Sequence, residues 1–166
     1  MLLFNKLNQF STYSDTFALY KRISEQYNDQ STLDYVNKLI PKEVSKASDN
    51  GQSLKPLLHW FKTDFMKWMP KELQCATCAK NKNSNRTMIV QVIEGDSKRL
   101  RRSEIHICNK CGSRQIFPRF LQIVDIADTR IGRCSEWSIL FGAILNSLSI
   151  QTRIVHDFLD HCWNES

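Results

Sequence analysis

Apolar residues in the first third of the chain recur every three or four positions against a polar background. Phe17, Tyr20 and Ile23, then Leu33, Val36, Leu39 and Ile40, mark amphipathic helices with a narrow buried stripe. Ser, Asp, Asn and Gly gather between Lys46 and Ser53, which predicts a loop. A stronger helix is expected from Ser53, because Leu57, Leu58, Phe61, Phe65 and Trp68 share one face. Pro56 suits its first turn and Pro70 ends it. Two β-rich runs follow, Thr87 to Ile93 and Glu104 to Cys108, on either side of a turn at Gly95-Asp96. Leu121 to Thr129 reads as a short helix. After Gly132 an unbroken three-four pattern of Trp137, Leu140, Phe141, Ile144, Leu145 and Leu148 predicts the longest helix, ending near Ser149. A strand from Thr152 to Phe158, a turn at Leu159-Asp160 and a second strand from His161 complete the pattern.

A chain of 166 residues, 42% hydrophobic, holds one full domain or a core with a small appended module. Its formal charge of +6 is concentrated in Lys98, Arg99, Arg101, Arg102, Lys110, Arg114 and Arg119, a stretch whose only acid is Glu104. The simplest expectation is a solvated basic face. No run approaches the ~20 apolar residues that cross a bilayer, so no membrane insertion is expected. Met1-Leu2-Leu3-Phe4 runs at once into Asn5 and Lys6, unlike a secretion signal. The expected setting is cytoplasmic or nuclear and reducing, where six cysteines serve as thiols or metal ligands and not as structural disulfides.

Cys75-Ala-Thr-Cys78 and Cys108-Asn-Lys-Cys111 form two CxxC pairs. Two residues between cysteines let both sulfurs of a knuckle reach one ion, and two knuckles supply the tetrahedral shell of a structural Zn²⁺. Gly112 suits the tight backbone after the second pair. Four sulfurs leave no open coordination position, so the zinc is expected to hold structure and take no part in chemistry. His59, His106 and His156 show no partner pattern and read as ordinary polar positions.

Cys134 opens the longest helix, where free amides favour a nearby thiolate and make it a better nucleophile. His161, on a strand after that helix, is the candidate base. The residues alone leave open a buried structural thiol and an unrelated imidazole.

The surrounding sequence narrows the reading. Gly132-Arg133-Cys134-Ser135-Glu136-Trp137 resembles the Gly-Arg-Cys-Gly-Glu-Trp signature of the peptide:N-glycanases, and Asp160-His161-Cys162-Trp163-Asn164-Glu165 resembles their Asp-His-Val-Trp-x-Glu. Leu57 to Trp68 is similar to that family's helix ahead of its zinc site, and Phe117-Pro118-Arg119-Phe120 to its Phe-Pro-Arg-Tyr. The resemblance covers residues 54–166. It implies an α+β fold with a papain- or transglutaminase-like core, in which Cys134 starts a helix and His161 lies on a following strand. Segment 1–53 would be helical, and a zinc module at 73–118 would be inserted into the catalytic part at 54–166.

The implied activity is that of a thiol amidase acting on misfolded N-glycosylated proteins in ER-associated degradation. Cys134 would attack the glycosylated Asn side chain and His161 would carry the proton. Trp68 and Glu136 are expected at the substrate cleft, while Trp137 is expected in the core. Family members work beside the proteasome and its ubiquitin-shuttle proteins. The family's triad ends in an Asp on the strand after the His, and no Asp follows Asp160 here. A chain stopping before that residue, with an incomplete C-terminal sheet and impaired turnover, is therefore expected. A catalytically inactive glycoprotein-binding adaptor of the same fold is the alternative. A zinc ribbon binding nucleic acid would leave the Cys134 and His161 motifs unexplained.

Overall fold

The computed structural model describes residues 16–48, 53–80, 88–94, 100–157 and 161–166. Helices α1 (16–26), α2 (Gln30–Leu39) and α3 (Lys42–Ala47) lead into α4 (Lys55–Trp60), which widens into a π turn over Phe61–Phe65. A two-residue strand β1 (Lys67–Trp68) precedes α5 (Ala76–Lys80) and the strands β2 (Met88–Glu94), β3 (Leu100–Cys108) and β4 (Arg114–Phe120). Next come α6 (Ile123–Thr129), β5 (Ile131–Gly132), α7 (Cys134–Ser147), β6 (Arg153–His156) and β7 (Cys162–Glu165). The expected turns at Gly95-Asp96 and Leu159-Asp160 lie outside the described residues.

Helix α7 is the axis of the core, with α2, α6, β6 and β7 packed against it. Residues 138 to 145 of α7 are buried without a break, so this helix is covered on nearly every side and not along one stripe. Leu140, Ile144 and Leu145 pack with Ile23, Val36, Leu57, Ile123 and Ile126, all almost fully removed from solvent. Each such side chain contributes about 1.5–3 kcal/mol relative to exposure. Phe17, expected on the buried stripe of α1, is instead 74% exposed.

Trp68 departs from the expected helix. The π turn, closed by the Met66 N–H on the Phe61 carbonyl at 2.9 Å, ends the helix at Phe65. The chain then runs parallel to β5, pairing Lys67 with Ile131 and Trp68 with Gly132. The Lys67 amide donates to the Arg130 carbonyl, and the Met69 amide to the Gly132 carbonyl. These strand bonds draw Trp68 off the helix and leave it 55% exposed beside the start of α7.

The middle of the chain forms an antiparallel sheet in the order β2-β3-β4. Its edge strand β4 is absent from the expected pattern. Pro118 masks it, and an edge position tolerates the missing N–H. Along β4 the faces are inverted relative to hydropathy: Ile116 is 67% exposed, while Phe117 and Arg119 are buried. A separate small cluster of Cys75, Cys78 and Cys108, with Leu73 against it, lies beside this sheet.

Candidate active site and metal centre

The four CxxC sulfurs converge. Cys75 Sγ and Cys111 Sγ are 3.6 Å apart, Cys78 Sγ and Cys111 Sγ also 3.6 Å, and Cys78 Sγ and Cys108 Sγ 3.8 Å. All four lie within 4.8 Å of one another. Ligands about 2.3 Å from a common centre at tetrahedral corners stand roughly 3.8 Å apart, so this donor set fits one four-sulfur ion. Gly112 adopts φ 68°, and its amide reaches back to the Cys108 carbonyl at 3.0 Å, closing the second knuckle. The Ser113 hydroxyl lies 3.0 Å from Cys75 Sγ and 3.4 Å from Cys111 Sγ. With help from the Cys78 amide, it draws the Cys75 thiol down to about 6. Hydrogen bonding to Cys111 and burial push Cys78 up to about 12. Sulfurs this close cannot all ionise without a cation between them.

His106, read as an ordinary polar position, is fully buried on β3, with Nε2 3.4 Å from Glu104 Oε2.

Cys134 and His161 line one cleft of about 380 Å³, together with Leu58, Lys62, Trp68, Trp137, Trp163 and Asn164. They come from different elements: Cys134 is the first residue of α7, and His161 immediately precedes β7. Asp157 Oδ1 accepts the His161 backbone N–H at 2.8 Å, and the Asp157 amide donates to the His161 carbonyl at 3.0 Å. These bonds fix the backbone beside the imidazole. Asn164, three positions after His161, lines the same cleft, and among the described residues its Nδ2 has no hydrogen-bond partner. Trp163 Nε1 is held by Glu165, which in turn pairs with Arg153. Trp137 serves both readings: it stacks edge-on against Phe61 at 5.3 Å in the core and also faces the cleft.

Two positions differ from the glycanase motifs around Cys134 and His161, Ser135 and Cys162, and they meet. Ser135 Oγ lies 4.0 Å from Cys162 Sγ, and Tyr20 Oη lies 3.3 Å from the same sulfur. Ser135 is not among the residues lining the cleft.

Glu136, expected at the cleft, is instead buried beneath it. Both its oxygens are taken by Arg119, with Nε at 2.6 Å and Nη2 at 2.9 Å. Glu136 Oε2 also accepts the Arg133 backbone N–H at 3.0 Å, which caps the start of α7. Gly132 is required by this packing, because a Cβ there would stand 2.3 Å from Glu136 Cβ. On the other side Arg119 Nη1 donates to Glu104 Oε1 at 2.9 Å, and Arg133 grips Glu104 through both oxygens at 2.7 Å. Burial works to raise the Glu104 carboxyl, but hydrogen bonding and charge from Arg119 and Arg133 outweigh it and hold the group below its ordinary range. Arg119 thus leaves the expected basic face. The signal available in the sequence was Glu104, the lone acid of that stretch, opposite an arginine set between two phenylalanines.

A second concavity of about 560 Å³ lies between α1 and Leu121-Gln122. Gln26 seals its wall by bridging the Leu121 carbonyl and the Ile123 amide.

Comparison with known proteins places these features in company. Residues 86–166 match the model of the transglutaminase-like superfamily. Over 159 residues the chain is 33% identical to a peptide-N(4)-(N-acetyl-beta-glucosaminyl)asparagine amidase of Caenorhabditis briggsae, an alignment covering 92% of this chain and 26% of that protein. It is 36% identical over 143 residues to the amidase of the same name from Saccharomyces cerevisiae, covering 80% of this chain and 39% of the yeast protein. The Mus musculus amidase is 31% identical over 121 residues, 73% of this chain and 18% of its own length. The chain thus spans well under half the length of these relatives.

Proposed function

We propose, from the match of residues 86–166 to the transglutaminase-like superfamily and the similarity to peptide-N(4)-(N-acetyl-beta-glucosaminyl)asparagine amidases, that the chain carries the thiol and imidazole of a deglycosylating amidase. The observation that supports this reading is the shared cleft: Cys134 and His161 arrive from separate elements and face one space walled by Trp68, Trp137 and Trp163.

In this reading Cys134 Sγ attacks the side-chain carboxamide carbon of a glycosylated Asn. His161 takes the thiol proton and returns it to the leaving nitrogen, so a glycosylamine departs and an acyl thioester remains. Water, deprotonated by His161, then cleaves the thioester to Asp and regenerates the thiol. Amides at the start of α7 favour the developing negative charge. The exposed indole of Trp68 and the half-exposed Trp163 offer flat apolar faces to a sugar or an unfolded peptide. Residues 162–166 hold no Asp, and the Glu165 carboxylate among them accepts from Trp163 Nε1 and pairs with Arg153.

A denatured N-glycoprotein incubated with excess enzyme is expected to lose its glycan and to gain Asp at the former glycosylation site, read by mass spectrometry. Binding of the glycopeptide with Asn and glycan both retained would favour an inactive binding protein of the same fold and overturn the amidase reading.

We further infer that the four-sulfur site takes zinc, which would hold the two knuckles and the strand ends they terminate without entering the reaction. Purified protein is expected to contain one zinc per chain and to lose it in Cys108→Ser, with unfolding of the sheet seen as lost strand circular dichroism. A metal-free wild type with the same spectrum and melting temperature would sink this inference.

A further inference from the structure

Strands β3 and β4 run from the four-cysteine site to a group of buried charges at the start of α7. Cys108 ends β3, and Cys111 lies in the turn just before β4. A metal held by both therefore fixes the two strands at one end. Further along, β3 carries Glu104 and β4 carries Arg119, both at most 5% exposed as side chains. Arg119 reaches from Glu104 to Glu136, while Arg133 joins Glu104 to the first turn of α7. Arg119 and Arg133 also lie against the Phe117 ring, at 5.7 and 5.9 Å from its centroid. Cys134 sits between Arg133 and Glu136, the two α7 partners of the network. Arg119 grips Glu136 in fork geometry, which fixes direction as well as distance, and Glu104 Oε1 accepts from both Arg119 and Arg133.

We propose that Glu136, Arg119 and Glu104 are positioning residues for Cys134, and that metal binding at the four-cysteine site is transmitted through them to the start of α7. The proposal rests on Cys134 being the nucleophile, but its readout does not require glycan release. A displacement of about 1 Å at a reacting atom is enough to cost on the order of 10²-fold in rate.

The test measures alkylation of Cys134 by limiting iodoacetamide, quantified by peptide mass, in wild type, Glu136→Gln and Glu104→Gln, each with zinc bound and after chelation. Glu136→Gln keeps the side chain's size while removing its charge. Zinc-bound wild type is expected to alkylate at Cys134 well ahead of Cys162. Glu136→Gln and chelation are each expected to lower the Cys134 rate about 10- to 100-fold, toward that of free cysteine, as for other groups that act through a neighbour. Together they should lower it no further, because both break one connection. Glu104→Gln, on the sheet side, should give the same non-additive pattern and serves if Glu136→Gln does not fold. Where turnover is measurable, kcat should fall with KM unchanged, a split that general loosening of the fold would not produce. Unchanged Cys134 alkylation in both variants, or losses that multiply with chelation, would overturn the proposal. Alkylation that behaves as expected in a protein that releases no glycan would leave the positioning role standing and sink the amidase reading.

Discussion

Cys134→Ala is expected to abolish amide hydrolysis, with a rate loss on the order of 10⁶-fold where the rest of the catalytic group is intact. The side chain opens into the cleft and does not fill the core, so the fold should survive: Ser138 Oγ bonds to the Cys134 backbone carbonyl at 2.8 Å, a contact the substitution keeps. Nucleophile and base act as a unit, so His161→Ala should cost a comparable factor and the double variant little more. Glycan release and thermal melting, measured on the same preparations, check both halves of the expectation. Turnover surviving in Cys134→Ala would move the nucleophile elsewhere, and Cys162 is the other sulfur lining the cleft.

Arg119→Met is expected to destabilise the protein by about 3–5 kcal/mol, the usual cost of removing one partner from a buried ionic group. Glu136 would lose the cation that satisfies both its oxygens, and Glu104 would keep Arg133 and its contact with His106. Replacing Glu136 by methionine in the same chain should recover part of the loss, because apolar packing of similar volume frequently matches a buried ion pair. The two measurements are the denaturant midpoints of the single and double variants. Acid unfolding gives an independent check. The Glu104 carboxyl is depressed from its ordinary 4.5, so its contribution is present above that pH and is lost as the pH falls through the lower, folded value. In Arg119→Met the depression is relieved, so the share of acid destabilisation that comes from Glu104 should shrink. A midpoint within about 1 kcal/mol of wild type would show that the network is not needed for stability.

The parts legible in the sequence were those set by local pattern. The three-four repeat from Trp137 to Leu148 marked α7, and the paired CxxC spacing marked residues whose sulfurs do meet. What escaped was set by partners distant in the chain. Trp68 continues a helical stripe by spacing, but hydrogen bonds to Arg130 and Gly132 on β5 take its strand away from the helix. Arg119 reads as surface charge because its compensation lies on Glu104 of another strand and Glu136 of another helix. Glu136 reads as a cleft residue because it stands two positions from Cys134, but a helix turns through 200° over two residues. Ser135 and Cys162 look like independent departures from the family signatures, yet they are neighbours in space.

The pairing of β1 with β5 has a consequence for how the chain folds. Trp68 and Gly132 lie side by side, so the whole segment carrying the four cysteines leaves and re-enters the core at one point. Closing so long a loop before anything inside it is ordered carries an entropic cost that grows with the logarithm of its length, about 0.6 kcal/mol for each doubling. An ion captured by the two knuckles would divide that loop into shorter ones and bring β1 and β5 closer before the core forms. Refolding with zinc present should therefore be faster than refolding with zinc added afterwards, even where both routes end in the same native state.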